Sequence, residues 1–391
     1  MSRQRLSGLV VAGIVAFVLS LTAAPSIAVD GAGQVSTWGD NTYGQLGDGS
    51  TTDHLTPKFV PSLAGVSQIE GGREHVLALT SAGTVFAWGW NKHGQVGNGA
   101  IGGIVKSPAQ ILTGATDIGA GHYSSFAVKA DGTVWGWGQN TTGQIGSGTT
   151  ALRVRTPTRI EGLDGLSIVD VAGGRNHALA LTDDGSVYAW GDNTYGQLGN
   201  GTWQSSSIPV LVASLTDVVG IFAGRDHSLA VRTDGSVWTW GYNGYGELGD
   251  GTRTNRNAPV RVIRLNGSAL ANIVQVGAGA NHSLALRSDG TLWAWGRNNF
   301  GQLGDGTFST RRRAARVMGL SGVEQAAGGR QNSIAVTTGG EVLTWGENVY
   351  GQLGDGTVST VGRNTPATVA GLSNVSAVGM GRDYGMAIVV P

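Results

Sequence analysis

The sequence contains no cysteine, and beyond its first thirty residues no segment shows the hydrophobic period of a helix. The chain can therefore form neither a disulfide framework nor a cysteine-ligated metal site. It also lacks the Gly-x-Ser-x-Gly, His-Glu-x-x-His and phosphate-binding loop motifs, and no pair of carboxylates stands out as an acid and a base. These absences lead us to expect no cofactor, no metal and no enzymatic activity.

Charged residues are scarce and balanced, with 26 Lys and Arg against 26 Asp and Glu. Because nucleic-acid-binding proteins carry a basic excess, we expect no nucleic-acid partner. Glycine, by contrast, accounts for 67 of the 391 residues and recurs at a regular spacing. Periodic glycine indicates turns and close approach of strands rather than disorder.

Residues 1–28 have the pattern of a secretory signal peptide: two early arginines, an apolar run over residues 9–21, and the small-x-small sequence Ser26-Ile27-Ala28. The alternative is a membrane anchor, for which the apolar run is short. We expect cleavage near Ala28, an extracellular location, and a mature domain of residues 29–391 without a membrane span. That domain carries 24 basic against 26 acidic residues.

The dipeptide Trp-Gly recurs seven times, at intervals of about 50 residues. Its tryptophans are Trp38, Trp88, Trp137, Trp190, Trp240, Trp295 and Trp345. Each is followed by Asn three residues later and then by Gly-Gln-Leu-Gly or a close variant, and six copies have a proline further on. A second phrase, with Gly-Gly-Arg-Asn-His-Ala-Leu-Ala-Leu at residues 173–181 as its clearest copy, precedes each later Trp-Gly.

Short runs rich in Val, Leu and aromatics, bounded by Gly, Asp and Asn, predict four β-strands per repeat. We expect one strand after the proline, one before the glycine phrase, one within it and one ending at Trp-Gly. Seven four-stranded units of this length predict a seven-bladed β-propeller. The chain begins with a lone Trp-Gly strand at residues 34–39 and ends with a glycine phrase at residues 381–388. The N-terminal strand is therefore expected to complete the last blade and close the ring.

These two phrases resemble the regulator of chromosome condensation repeat, over residues 33–389. The resemblance implies a seven-bladed propeller closed by a terminal strand, in a family with secreted bacterial members labelled alpha-tubulin suppressor-like. The protein that names the family is a guanine-nucleotide exchange factor and a nucleosome binder. The near-neutral charge, the predicted export and the lack of a long insertion separate this chain from that activity.

Two sets of residues are candidates for binding a partner. The first is a ring of arginines at one repeat position, which suits carboxylates or phosphates: Arg73, Arg175, Arg225, Arg330 and Arg382. The alternative is that each arginine pairs locally with a neighbouring carboxylate. The second set is Trp203 and Phe308, large residues in variable loops, which either anchor a partner or fold back over a blade. Alternating strand directions place both sets on one face.

Two other repeated positions favour structural roles. The histidines His75, His177, His227 and His282 share one repeat position and would diverge around a ring rather than converge on a metal. The Asp-Gly turns place single carboxylates beside glycine, whereas calcium requires six to eight oxygen ligands.

The sequence thus favours a secreted, non-enzymatic, monomeric binding propeller whose loop-rich face engages a protein or a cell-envelope ligand. One alternative is a hydrolase or lyase acting on a polysaccharide, which requires two carboxylates about 5–10 Å apart at the channel mouth. A further alternative is guanine-nucleotide exchange, which rests on the family name alone.

Overall fold

The computed structural model describes residues 33–391, in which the chain forms 28 strands arranged as seven four-stranded antiparallel sheets. Each sheet is one blade of a propeller, so the predicted all-β, seven-bladed fold is confirmed. The predicted signal peptide, residues 1–28, lies outside the described residues. No helix in residues 33–391 is long and apolar enough to cross a membrane.

Strands are numbered in chain order. The N-terminal pair is β1 (Gln34–Gly39) and β2 (His54–Phe59). The first blade is β3 (Val66–Gly71), β4 (His75–Thr80), β5 (Val85–Trp90) and β6 (Ile104–Leu112). The second blade is β7 (Ala115–Ala120), β8 (Ser124–Lys129), β9 (Val134–Gln139) and β10 (Arg153–Arg159). The third blade is β11 (Ile168–Gly173), β12 (His177–Thr182), β13 (Val187–Gly191) and β14 (Ser206–Leu211).

The fourth blade is β15 (Val218–Ala223), β16 (His227–Arg232), β17 (Val237–Gly241) and β18 (Arg256–Arg261). The fifth blade is β19 (Ile273–Ala278), β20 (His282–Arg287), β21 (Leu292–Gly296) and β22 (Arg311–Arg316). The sixth blade is β23 (Val323–Gly328), β24 (Asn332–Thr337), β25 (Val342–Asn348) and β26 (Ser359–Thr368). The seventh blade combines β27 (Val375–Met380) and β28 (Tyr384–Val389) with β1 and β2.

The seventh blade closes the ring as the sequence predicts. Strand β1 pairs with β28 over its whole length, from Gln34 opposite Val389 to Gly39 opposite Tyr384. Strand β2 then adds to β1 as the outermost strand, so the N-terminal segment supplies two strands of this blade. Innermost strand β27 contacts both β23 and β3. Joining head and tail in one sheet removes the open edges of an unclosed ring.

The repeated proline is the one point at which the strand prediction is wrong. We expected a strand to start after it, but Pro57, Pro157 and Pro259 lie inside the outermost strands β2, β10 and β18. In each case the proline falls where the pairing register shifts. An outermost strand has one unpaired edge, so a residue without N–H is tolerated there, particularly at a bulge.

The Trp-Gly and Gly-Gln-Leu-Gly phrases lock neighbouring blades together. The indole Nε1 of Trp88 donates to the carbonyl oxygen of Gln45 at 2.9 Å, and six further Trp–carbonyl pairs repeat this contact around the ring. Gly47, which ends the phrase, has φ +73°, and a Cβ there would lie 2.7 Å from the Trp88 Nε1. The position therefore needs glycine both for its backbone conformation and for the indole packed against it.

The four repeated histidines are buried and bridge adjacent blades. His177 Nε2 lies 3.0 Å from Ser228 Oγ in the next blade, and that hydroxyl donates to the carbonyl oxygen of Gln197 at 2.9 Å. The same histidine–serine contact occurs at His75, His227 and His282. In the seventh blade Tyr384 takes the equivalent position and donates to the His75 carbonyl oxygen at 2.6 Å. These histidines are structural, as the sequence suggests.

Candidate functional site

The two faces of the propeller differ in the length of their connections. In every blade the links from first to second strand and from third to fourth strand leave the same side, here called the loop face. The opposite side carries the short turns between second and third strands. Contacts between the two kinds of link, such as Gln144 with Asn176 and Glu247 with Asn281, confirm that they share a face.

The five candidate arginines lie on the loop face around the mouth of the central channel. Each occupies the link between the first and second strands of its blade: Arg73, Arg175, Arg225, Arg330 and Arg382. His122 and Ala280 fill the equivalent positions of the second and fifth blades. The channel has a volume of about 1240 Å³ and is lined by the innermost strands and by these arginines. The structure thus brings all five into one ring.

Most of these arginines pair with carboxylates across the blade junctions. Arg382 of the seventh blade lies 3.0 Å from Glu74 of the first, and Arg330 of the sixth lies 3.1 Å from Asp383 of the seventh. Arg175 and Arg225 share Asp226, at 3.9 and 3.2 Å. Arg73 contacts Glu74 at 3.1 Å and the Tyr123 hydroxyl. The local pairing proposed as the alternative is therefore present, although the arginine side chains remain 29–43% exposed.

One buried polar atom at the mouth, Glu74 Oε2, has no hydrogen-bond partner among the described residues. Arg225 Nε and Arg330 Nε face the carboxylates of Asp226 and Asp383 at 3.2 and 3.1 Å, without the angles of a hydrogen bond. Burial raises the pKa of Asp383 to about 6 despite the neighbouring Arg330 and Arg382, and it also raises the pKa of Glu74. The mouth is thus a network of ion pairs in which the arginine side chains stay partly exposed.

Trp203 and Phe308 lie apart from the arginine ring. Trp203 precedes the outermost strand β14 of the third blade, and Phe308 precedes β22 of the fifth, so the fourth blade separates them. They are 51% and 46% exposed and do not fold back over a blade. The structure therefore places them on the loop face near its perimeter, as separate exposed side chains.

An aromatic cluster on the loop face escaped the sequence analysis. The Trp90 ring lies 4.9 Å from that of Tyr43 and 5.6 Å from that of Tyr123, and His93 lies 4.8 Å from Tyr123. The signal was available, because the residue before Gly-Gln-Leu-Gly is aromatic in six of the seven copies: Tyr43, His93, Tyr195, Tyr245, Phe300 and Tyr350. The seventh copy has Thr142 at that position.

The channel wall carries three carboxylates on adjacent innermost strands, which the sequence analysis also missed. Glu70, Asp117 and Asp170 lie on β3, β7 and β11. Burial raises the pKa of Glu70 to about 8 and raises those of Asp117 and Asp170, and their mutual repulsion adds to the effect. Asp117 accepts from the backbone N–H of Val171 in the next blade at 3.0 Å, so it fastens one innermost strand to its neighbour.

The carboxylates of the Asp-Gly turns pair with basic side chains of their own blades. Asp250 lies 2.9 Å from Arg256 and Asp305 lies 2.8 Å from Arg311, and Asp355 pairs with Arg363. Asp48 lies 3.1 Å from the imidazole of His54, whose pKa is lowered by burial. Among residues 33–391 no group of three or more His, Cys, Asp or Glu side chains is arranged to hold a metal ion. Each of these carboxylates is therefore paired within its own blade.

Comparison with known proteins identifies the family. A model of the RCC1-like domain matches residues 26–271, and models of the regulator of chromosome condensation (RCC1) repeat match residues 273–302, 323–352, 289–336 and 339–388. The chain belongs to the RCC1-like family. The resemblance drawn from the repeated phrases is therefore confirmed.

Curated relatives of this RCC1-like propeller are longer proteins. The ultraviolet-B receptor UVR8 of Arabidopsis thaliana is 32% identical over 277 residues, which are 70% of this chain and 51% of UVR8. The human E3 ubiquitin-protein ligase HERC2 is 32% identical over 165 residues, which are 42% of this chain and 3% of HERC2. The chain thus spans about half of UVR8 and a small part of HERC2.

Solved structures share the architecture of this RCC1-like propeller. Prp20p of Saccharomyces cerevisiae, described with its binding to Gsp1p and histones, superposes with a TM-score of 0.80 at 23% identity over 93% of both chains. Human WBSCR16 superposes with a TM-score of 0.81 at 23% identity, over 92% of this chain and 99% of that one. At this level of identity the likeness establishes the fold.

Proposed function

We propose that this RCC1-like propeller is a non-enzymatic module that binds a protein ligand through its loop face. The observation that carries the proposal is the channel mouth, where five partly exposed arginine side chains form one ring. A ligand carboxylate at this mouth would compete with the neighbouring acids for the guanidinium N–H groups, and arginine is well suited to carboxylate recognition. Protein partners are also described for Prp20p, which has this fold.

A rigid frame supports this use of the loop face. Each blade is locked to the next by a buried tryptophan contact, and four of the seven junctions add a buried histidine contact, so the loops are presented at fixed positions. Exposed aromatic residues nearer the perimeter of the loop face, including Trp203 and Phe308, are of the kind enriched in protein interfaces. The channel carboxylates Asp117 and Asp170 accept backbone hydrogen bonds from the next strand, which favours a structural role over acid–base chemistry.

Reversing the charge of the arginine ring should weaken capture of the ligand. We expect Arg175→Glu and Arg225→Glu each to reduce binding about tenfold or more, because the ligand carboxylate loses its charge-assisted hydrogen bond to arginine and is repelled by the new carboxylate. The ligand is first isolated with the immobilised domain and identified by mass spectrometry, and its affinity for each variant is then measured by surface plasmon resonance. In the same assay, a loss of affinity in Trp203→Ala would show that the perimeter of the loop face also contacts the ligand.

The matched control is Arg232→Glu, which makes the same change in an ion pair with Asp217 at a turn of the opposite face. It should bind the ligand as the unchanged protein does, and thermal unfolding of every variant confirms that it is folded at the temperature of the binding assay. If Arg175→Glu and Arg225→Glu bind with unchanged affinity, the arginine ring is not the binding site.

We further propose that the protein acts outside the cell. The support is the signal-peptide pattern of residues 1–28, with small residues at Ser26 and Ala28. Expression of the full chain with a C-terminal tag should release protein into the medium whose N-terminal sequence begins after Ala28. Replacing the apolar run with polar residues should retain the tagged protein inside the cell. Recovery of the uncleaved chain in the cytoplasm in both cases would refute export.

A further inference from the structure

The loop side of the first two blades is poor in acidic residues. Between Glu74 and Glu161 the chain has only two acidic residues, Asp117 in the channel wall and Asp131 at a turn of the opposite face. The same stretch places four cations on the loop side of these blades: Lys92, Lys106, Arg153 and Arg155. None of the four forms an ion pair within residues 33–391, in contrast to the paired arginines of the channel mouth.

The missing acids are specific departures from the repeat. In four blades the turn after Gly-Gln-Leu-Gly carries an Asp. One carboxylate oxygen accepts from the repeat Asn, and the other faces a basic side chain on the outermost strand, which is arginine in three blades and His54 in the seventh. Asn98 and Ser147 replace that Asp in the first and second blades, and Val105 and Val154 replace the basic residue of the strand. Asn98 still accepts from Asn91 at 3.0 Å, so the loop keeps its internal bond and loses only its charge.

These cations surround the aromatic cluster of Tyr43, Trp90, His93 and Tyr123. The Lys92 ammonium lies 5.5 Å from the Trp90 ring, and a Cβ on Gly94, beside His93, would lie 3.1 Å from the Arg155 Cα. Burial lowers the pKa of His93, and the positive charges of Arg153 and Lys92 lower it further. The rings are partly exposed, so the patch offers apolar contact inside a positively charged border.

We infer that the surface formed by the aromatic cluster together with Lys92, Lys106, Arg153 and Arg155 binds an acidic peptide segment of the protein ligand. This inference rests on the proposed function and adds the chemistry of the partner. Carboxylates of the segment would pair with the four cations, and an apolar side chain between them would pack on Trp90 and Tyr123. The exposed Leu152, next to Arg153, extends the apolar contact.

The extent of the surface favours a peptide over a long polyanion. Asp40 and Glu74 lie on its inner side, and Asp48 lies in the adjoining loop of the seventh blade. A nucleic acid or sulfated polysaccharide continuing beyond the four cations would meet these carboxylates and the acids of the channel mouth. A short acidic peptide contacts only the four cations and does not reach the carboxylates beyond them, so its charge is complementary to the whole of the surface that it covers.

The test measures binding of a fluorescein-labelled peptide of Asp and Glu residues around one Phe, by fluorescence anisotropy at low ionic strength. We expect the Lys92→Gln, Arg155→Gln double variant to weaken binding about tenfold, which corresponds to about 1.4 kcal/mol. Asn98→Asp, nearly isosteric, should weaken it several-fold by adding the negative charge that four other blades carry at this position. The matched control Asn200→Asp makes the same change in the third blade and should bind with unchanged affinity.

Three results would overturn the inference: no binding of the acidic peptide, equal binding of its Asn and Gln counterpart, or unchanged affinity of Asn98→Asp. Preferential binding of heparin or single-stranded DNA, lost in the same double variant, would show that the surface takes a polyanion and that the peptide assignment is wrong. Failure here leaves the proposed function intact if ligand capture still depends on Arg175 and Arg225, because those residues belong to the channel mouth.

Discussion

Trp38→Ala should destabilise the protein by about 3–5 kcal/mol, whereas Trp203→Ala should change the free energy of unfolding by less than about 0.5 kcal/mol. Trp38 is fully buried at the closing seam, where its Nε1 donates to the Gln352 carbonyl oxygen at 3.1 Å. Gly354 packs against the same indole, so truncation removes hydrophobic contact and leaves a buried carbonyl unsatisfied. Trp203 is 51% exposed. Urea unfolding followed by circular dichroism measures both changes.

A second comparison separates closure of the ring from loss of any one tryptophan. Trp240→Ala removes the equivalent indole from the seam between the third and fourth blades, where the chain is continuous. Both variants should lose similar stability, but only Trp38→Ala should make the N-terminal strands β1 and β2 readily cleaved by a protease under native conditions. A loss below about 1 kcal/mol for Trp38→Ala would show that the seam does not hold the ring closed.

The fold could be predicted because the same pattern of strands and turns recurs in seven copies of the repeat. The sequence predicts a closing strand at residues 34–39 because the half-repeat missing at one end of the chain is present at the other. Strand β1 has these bounds and pairs with β28. The prediction that a strand starts after the proline is wrong because proline, which lacks an N–H, is usually found at the boundary of a strand. The propeller accepts Pro57 or Pro157 inside a strand, since that strand is the outermost of its blade and bulges there.

The candidate site was only partly predictable. The arginine ring follows from repeat position and strand direction, and the structure brings Arg73, Arg175, Arg225, Arg330 and Arg382 to one mouth. The pairing across blades, such as Arg382 with Glu74, depends on which blades become neighbours after closure and on side-chain reach. The channel carboxylates were missed for the same reason, because Glu70, Asp117 and Asp170 are about 50 residues apart in the chain.

Those carboxylates should make the protein less stable as the pH rises from about 6.5 to 8.5. Glu70 has a folded-state pKa of about 8, raised chiefly by burial, and the pKa values of Asp117 and Asp170 are raised for the same reason. A carboxyl group with a raised pKa keeps its proton in the folded state after the unfolded chain has lost it near pH 4. Its contribution to stability is therefore complete below pH 4 and is lost as the pH rises through the folded-state pKa.

The buried histidines act with the opposite sign. Burial lowers the pKa of His75, His227 and His282 to about 3 and that of His177 to about 4, so each stays neutral in the folded protein while the unfolded chain takes up protons below about pH 6.5. Between about pH 4 and 6.5 the two sets largely offset each other. Above pH 6.5 only the ionisation of the carboxylates alters stability, and it destabilises the folded protein. Below pH 4 the histidines, which are protonated in the unfolded chain but neutral in the folded one, still favour unfolding. The free energy of unfolding should therefore fall on both sides of this range.

Glu70→Gln isolates the alkaline limb. Because Glu70 is only half-buried and faces the channel, solvent screens its charge, and we expect a gain of about 1–2 kcal/mol at pH 8.5 and little change at pH 4.5. Glu324→Gln removes a charge from an exposed position on innermost strand β23 and should have little effect at either pH. Urea unfolding of both variants across this pH range measures the difference. A carboxylate that destabilises the fold by its charge does so only at a pH where it is ionised. If Glu70→Gln gains no stability at pH 8.5, or gains the same stability at both pH values, the channel carboxylates do not cause the loss of stability at alkaline pH.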